Sequence, residues 1–477
     1  MRKLLKKIAS TLVCAIALAH QAYAQSILRD AETEAFLHEI SDPIFIAAGL
    51  DPRSVNIYLL SDPSLNAFVT GGQNIFIHSG LIMASDDVNQ LLGVIAHETG
   101  HIAGGHLVGI RDAASTAGNF SILSLVLGAA AIAAGSPDAG IGLLAAGQTV
   151  AQRQFLAFNR VQESSADQAG AKYLNELGIS GKGLIQFFDK LRDQEVLAYI
   201  RQDPYIRSHP LNRTRILSLE QVLGQSEYYN KPPNPKHNEQ FNRLKAKLQG
   251  YIQRPSDTLK EYPLSDKTAS ARYARVYAYH KALEWDLALS EADALIEQEP
   301  ANPYFHEIKG QILFENGKVR EALPVFRQAV ERAPRAPLVA TALGQAMVSL
   351  EDDVLMAEAI PILENATRQD PGNTFAWFNL AKAYSWVGRE ADANLATAER
   401  FYSAGVVYQA VGYAKRAMDS FKTGSPEWLR AQDIFFIARD AAERQRKQQR
   451  RRRRFDVEFT GQQEFQKQQE QHWQYQP

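Results

Sequence analysis

Val94-Ile95-Ala96-His97-Glu98-Thr99-Gly100-His101-Ile102-Ala103 is an apolar run broken by two histidines and a glutamate. Ahead of it, Val88, Leu91, Leu92 and Ile95 recur at helical spacing, and Ser85-Asp86-Asp87 offers an N-cap and first-turn acids. The spacing predicts a helix. On it His97 and His101 stand four residues apart and project from one face, so both imidazoles can address one ion. Glu98 lies beside them, where a base can take a proton from water. A catalytic zinc needs a third protein ligand and an open position, which must come from elsewhere in the chain.

Two residues are candidates for that third ligand. His106 would extend the run toward the metzincin pattern His-Glu-x-x-His-x-x-Gly-x-x-His, but it stands one residue early. Glu163 lies in Asn159-Arg160-Val161-Gln162-Glu163-Ser164-Ser165-Ala166-Asp167, within a helical stretch from Thr149 to near Gly178, and shares a face with Asp167.

Upstream, the apolar runs 55–60, 67–70 and 74–77 read as short strands, the last two joined as a hairpin through Gly71-Gly72. The first domain is therefore expected to be an α+β, zincin-type protease domain, mostly helical with a small antiparallel sheet.

These segments together resemble a family of zinc peptidases with a His-Glu-x-x-His helix and a later Glu-x-x-Ala-Asp helix, which includes heat-shock membrane proteases and prenyl-protein proteases. Asn66-Ala67-Phe68, Gly71-Gly72 and Gly80-Leu81 look like the family's strand before the active-site helix, and Ser208-His209-Pro210 with Arg215-Ile216 resembles a later box. The serine of that box directly precedes the histidine, which departs from the family's Ser-x-His-Pro spacing. The resemblance implies one zinc ion per chain, held by His97, His101 and Glu163. It further implies Glu98 as general base, Asp167 hydrogen-bonded to a ligand histidine, and an edge strand at Asn66, Ala67 and Phe68 that pairs with substrate.

The N-terminus, Met-Arg-Lys-Leu-Leu-Lys-Lys followed by an apolar run from Ile8 to Ala19 and Ala22-Tyr23-Ala24, reads as a signal peptide over residues 1–24, cleaved before Gln25. The single cysteine, Cys14, lies inside it, so disulfides are not expected to hold the exported chain. Removal of this segment shifts the formal charge from -1 to -5, which gives no global basicity for nucleic acid. With 45% apolar and 22% charged residues in 477, the bulk reads as folded globular protein of two or more domains.

The first domain is expected over residues 25–225. Within it, Phe120–Ala134 and Ala139–Ala146 form two apolar pieces too short to span a bilayer, read as a helical hairpin of small residues, with a loop dipping into a membrane as the alternative. Residues 226–265, punctuated by Pro232, Pro233, Pro235, Pro255 and Pro263, read as a linker with one helix of its own.

Over 266–442, Pro300 and Pro334, Gly310 and Gly344, and Ala288 and Ala322 recur 34 apart, the tetratricopeptide period, and predict an all-α superhelix. Pro334 to Pro371 and Ala322 to Ala359 are 37 apart, and the three extra residues are expected in the loop at Glu351-Asp352-Asp353. Residues 443–477, basic and then Gln-rich, read as a disordered tail that is solvated or drawn to an anionic membrane surface or acidic partner.

Zinc peptidase and repeats in this order resemble the periplasmic β-barrel assembly-enhancing proteases. That resemblance implies a periplasmic endopeptidase acting on unfolded or stalled outer-membrane proteins, in contact with their assembly machinery, and a histidine, His209 here, that can cover the metal. The alternative is a chaperone or scaffold for assembly factors with latent proteolysis. Peripheral membrane association fits either reading; a nucleic-acid partner fits neither.

Overall fold

The computed structural model describes residues 26–106, 109, 137–197, 209 and 213–473. The signal-peptide reading of residues 1–24 and the first apolar piece, Phe120–Ala134, lie outside the described residues. The chain divides into two compact units, one ending at Ala278 and the other starting at Tyr279.

The first unit opens with strand β1 (Ile27–Leu28) and helix α1 (Ala31–Ala47). Asp30 caps α1, its carboxylate accepting from the Thr33 amide at 2.8 Å. Strands β2 (Asn56–Leu60), β3 (Ala67–Thr70) and β4 (Asn74–His78) complete a four-stranded sheet of order β1-β2-β4-β3. The β3–β4 hairpin forms as expected, turning through Gly71 and Gly72 at φ 63° and 105°.

The sheet is mixed rather than wholly antiparallel, because β4 inserts between β2 and β3 and runs parallel to β2. Burial explains the order. Ile75 and Ile77 are fully buried, so β4 takes the central position. Tyr58, Phe76 and Phe68 stack across the three strands on the other face, with ring centroids 5.1 and 5.2 Å apart.

Helices α2 (Ser79–Ala84), α3 (Val88–Ala103), α4 (Pro137–Glu176), α5 (Lys182–Leu197) and α6 (Arg213–Gly224) follow. Every residue of α3 from Val88 to His101 is buried. Its apolar side packs into one core with Phe36, Ile44, Ile75, Ile77, Phe187 and Phe188. The second apolar piece of the expected hairpin forms part of α4, and no helix among the described residues is long and apolar enough to cross a membrane.

The segment 226–265 is not a linker. It holds two helices, α7 (Pro235–Ile252) and α8 (Pro255–Glu261), each with its proline in the first turn, where no amide hydrogen is needed. Phe241, Leu244 and Leu248 of α7 belong to the same core as α3. Glu32 of α1 accepts from Arg243 Nε at 2.9 Å and from Tyr273 Oη at 2.8 Å, while Lys247 Nζ reaches Asp30 at 2.6 Å. Tyr273 lies on α9 (Ala269–Lys281), so the first unit extends well past residue 225.

The second unit is all-α and repeats as a tetratricopeptide-like superhelix. After α10 (Trp285–Gln298) come the pairs α11 (Pro303–Glu315) with α12 (Val319–Arg332), α13 (Pro337–Ser349) with α14 (Asp353–Gln369), α15 (Thr374–Trp386) with α16 (Glu390–Ser403), and α17 (Val407–Ser420) with α18 (Pro426–Trp473). The extra three residues do not enlarge the loop. The turns 316–318 and 350–352 are equal in length, and α14 has 17 residues where α12 has 14.

Asp352 caps the amides of Val354 and Leu355 at 3.1 Å and starts the helix nearly one turn early. The face behind it is preserved, with Ala359, Leu363 and Ala366 buried where the preceding pair buries Ala322, Phe326 and Ala329. At the C-terminus the backbone departs from the expected disorder, since α18 continues to Trp473. Arg, Gln, Lys and Glu lose little side-chain freedom in a helix, and extending a helix already packed avoids the cost of nucleation.

The turn inside each pair places one residue in the left-handed region, Gly317 at φ 75° and Gly388 at φ 78°. Leu283 occupies the equivalent turn before α10 at φ 61°, with its side chain 65% exposed. Leu283→Gly is expected to relieve this strain and stabilise the second unit by about 1 kcal/mol, read as a higher urea midpoint; an unchanged or lower midpoint contradicts it.

Candidate metal centre

On α3, His97 and His101 stand one turn apart with their Nε2 atoms separated by 3.2 Å. Helix α4 crosses them at backbone contact. A Cβ placed on Gly100 would lie 2.8 Å from the Ala166 carbonyl oxygen, and one on Gly170 would lie 3.1 Å from the His97 amide. These two contacts make the helices antiparallel and set Glu163 opposite the histidine pair. Its Oε1 lies 3.4 Å from His101 Nε2 and its Oε2 lies 3.5 Å from His97 Nε2.

His209 closes the group, its Nδ1 3.2 Å from both Glu163 oxygens and 3.4 Å from His97 Nε2. The four residues are buried, and one ligand atom from each lies within 4.8 Å of all the others. Tetrahedral zinc with bonds of about 2.0–2.1 Å sets its ligand atoms roughly 3.3–3.4 Å apart. Five of the six ligand pairs lie 3.2–3.5 Å apart and all lie within 4.8 Å, and three imidazoles with one carboxylate are a donor set suited to zinc.

The far sides of the rings are also held. His97 Nδ1 lies 2.9 Å from Asp167 Oδ1, which turns Nε2 toward the cluster. His101 Nδ1 lies 2.9 Å from His106 Nδ1. His106 thus sits behind a candidate ligand rather than among the ligand atoms, and the metzincin-like arrangement is not the one formed.

One contributor carried no assigned role in the sequence reading. Arg215, at the start of α6, directs Nη1 to Glu163 Oε2 at 2.9 Å, and Nε and Nη2 to Asp167 at 2.7 and 2.8 Å, over the face of Phe188. The one available signal was its place six residues after His209 in the matched box. The rest of that box, Ser208 and Pro210, lies outside the described residues.

Burial pushes the Glu163 carboxyl up, but His209 and His97 beside it hold it far below the usual carboxylate range. Burial likewise pushes Asp167 up and is overcome by its bonds to Arg215 and His97. Burial lowers His97, yet the hydrogen bonds to Asp167 and Glu163 raise it to about 9, whereas burial together with the neighbouring His97 and His209 drives His101 well down. Glu98 differs from both other carboxylates. It is fully buried, burial raises it, and neither oxygen makes a hydrogen bond among the described residues; His209 Nε2 lies 3.4 Å from its Oε1.

Beside α3 the sheet ends in β3, an edge unpaired among the described residues. The His78 amide donates to the Asn66 carbonyl, and Phe68 is paired with Phe76. Alternation along an antiparallel pair then turns the main-chain groups of Ala67 and Val69 to the free edge.

Residues 30–223 match the model of peptidase family M48. The matched stretch holds His97, His101, Glu163 and His209 of the candidate centre. Similar proteins include the β-barrel assembly-enhancing protease of Yersinia pestis, 26% identical across 82% of this chain and 80% of that protein. The metalloprotease LoiP of Escherichia coli (strain K12) is 31% identical across 34% of this chain and 60% of that protein. Among solved structures, the tetratricopeptide protein YrrB aligns with a TM-score of 0.31 at 18% identity, covering 38% of this chain and 94% of its own.

Two substitutions test how this domain builds its candidate centre. Gly100→Ala is expected to push α3 off α4 and weaken zinc binding at least about tenfold in chelator competition; unchanged affinity would show that the helix contact does not set the site. Arg215→Met strands two buried carboxylates and is expected to destabilise the zinc-free domain by about 3–5 kcal/mol in urea denaturation, a loss that a merely superficial ion pair would not give.

Proposed function

We propose that the chain is an exported, periplasmic zinc endopeptidase that binds and degrades misfolded or stalled outer-membrane proteins and so supports their assembly. The observation that carries the chemistry is the buried cluster of His97, His101, Glu163 and His209, with the Glu98 carboxylate, which makes no hydrogen bond among the described residues, at its edge. When bound there, zinc supplies Lewis-acid polarisation of the scissile carbonyl.

The chain's own residues do the rest. An extended peptide adds to β3 through the outward main-chain groups of Ala67 and Val69, next to Asn66 and Phe68. Glu98 takes a proton from water and passes it to the leaving amine, a role suited to a carboxylate whose proton affinity burial raises. Asp167 fixes the ring of His97, and Arg215 keeps Asp167 and Glu163 ionised. His209 must withdraw before a substrate carbonyl can enter. The client class rests on the likeness to the β-barrel assembly-enhancing proteases, which spans both units.

A second reading, a scaffold with latent proteolysis, is favoured by the position of His209, which completes the ligand set and leaves the centre closed. Glu98→Gln is expected to retain about one zinc per chain yet lose peptide turnover, and His97→Ala to lose both, measured by metal analysis beside a peptidase assay. Continued cleavage by the Glu98→Gln protein would sink the catalytic assignment. Crosslinking that variant in cell envelopes should recover outer-membrane proteins; recovery of soluble periplasmic enzymes alone counts against the client class.

A further inference from the structure

Helix α18 changes character half-way along. Ala431, Ile434, Ala438 and Ala442 are buried at the spacing of one packed face, the last three in one cluster with Val407, Ala410 and Ala414 of α17. That face stops at Ala442. From Glu443 to Arg450 every residue is exposed, and Arg444, Arg446, Lys447 and Arg450 make no hydrogen bond or ion pair among the described residues. The backbone nevertheless stays helical to Trp473.

The charge changes at the same point. Arg444, Arg446, Lys447 and Arg450 to Arg454 place eight basic residues in eleven positions with no acid among them. Pairs such as Arg446 with Arg450, and Arg450 with Arg454, repel at helical neighbour spacing. Like charge thus dominates the run itself, with the nearest acids, Asp440, Glu443, Asp456 and Glu458, at its two ends, and counter-charge from outside the chain would relieve its interior.

We propose that this part of α18 docks on an acidic phospholipid surface. Successive helical residues turn by about 100°, so eight charges in eleven positions surround the axis instead of forming one stripe. A protein groove with fixed acids reads a single face. A layer of mobile phosphates is reached from both flanks by long arginine side chains, whose forked guanidinium groups fit phosphate oxygens in pairs. The sequence directly beyond the basic run carries Phe455, Phe459, Phe465 and Trp473, residue types that favour the membrane–water interface. Basic charge followed by aromatic residues gives the two signals that stable surface attachment needs. Asp456, Glu458, Glu464 and Glu470 interleave those aromatics and disfavour a nucleic-acid duplex.

The test is vesicle flotation with the chain lacking only residues 1–24. It is expected to float with phosphatidylcholine vesicles containing roughly 30% phosphatidylglycerol, and not with pure phosphatidylcholine, and to be released at about 0.5 M salt. Combined Arg450→Gln to Arg454→Gln should lower partitioning at least about 100-fold without changing cleavage of a short peptide, whereas the same five positions changed to Lys should keep binding within about tenfold. Equal flotation with neutral vesicles, undiminished binding of the Gln variant, loss with the Lys variant, or preference for a DNA duplex over the anionic vesicles would each overturn the proposal.

Discussion

The distance between two helix backbones governs this molecule. Packed helices ordinarily stand about 8–10 Å apart, with side chains filling the space between them. Where Gly100 meets Ala166 and Gly170 meets Ala96 and His97, no side chain intervenes. That approach lets a short carboxylate on α4 reach two imidazoles on α3. It also demands that α3 be covered on every side, which the sheet, α5 and α7 provide through one continuous core. Small residues at the crossing and large ones around it serve the same geometric end.

Burying so many ionisable groups in one place is costly, since desolvation opposes every charge. The arrangement offsets that cost pairwise. Arg215 faces two carboxylates, each carboxylate faces an imidazole, and His101 is left neutral. Glu98 has His209 Nε2 at 3.4 Å but accepts no hydrogen bond among the described residues. A carboxylate without hydrogen bonds, enclosed and raised by burial, is a poor stabiliser and a suitable proton acceptor.

The local patterns were legible from the sequence. The grouping of His97, Glu98 and His101 follows from four-residue spacing, and the repeats from their 34-residue period, whereas spacing gave Glu163 and Asp167 only a shared face and the family resemblance supplied their roles. Relations between distant segments were not. Alternation marks a strand without naming its neighbours, so the insertion of β4 between β2 and β3 stayed hidden. Phe241, Leu244 and Leu248 have helical spacing, but the prolines around them read as linker punctuation, when Pro235 and Pro255 in fact open helices. The three added residues of the repeat could lengthen a loop or a helix at equal sequence cost, and only the capping by Asp352 decided for the helix. Arg215 illustrates the same limit, because nothing nearby in sequence announces two carboxylates some fifty residues upstream.

On the proposed function, the edge of β3, unpaired among the described residues, has a consequence for what would be recognised there. Ala67 and Val69 offer main-chain groups, and main-chain groups are common to every polypeptide. A strand already seated in a β-barrel has spent its own amides and carbonyls on its neighbours, whereas an unseated strand has not. Recognition at such an edge therefore measures how complete a client's hydrogen bonding is, irrespective of the letters of its sequence. A protease built this way would judge the progress of folding itself, and a finished barrel would be silent to it.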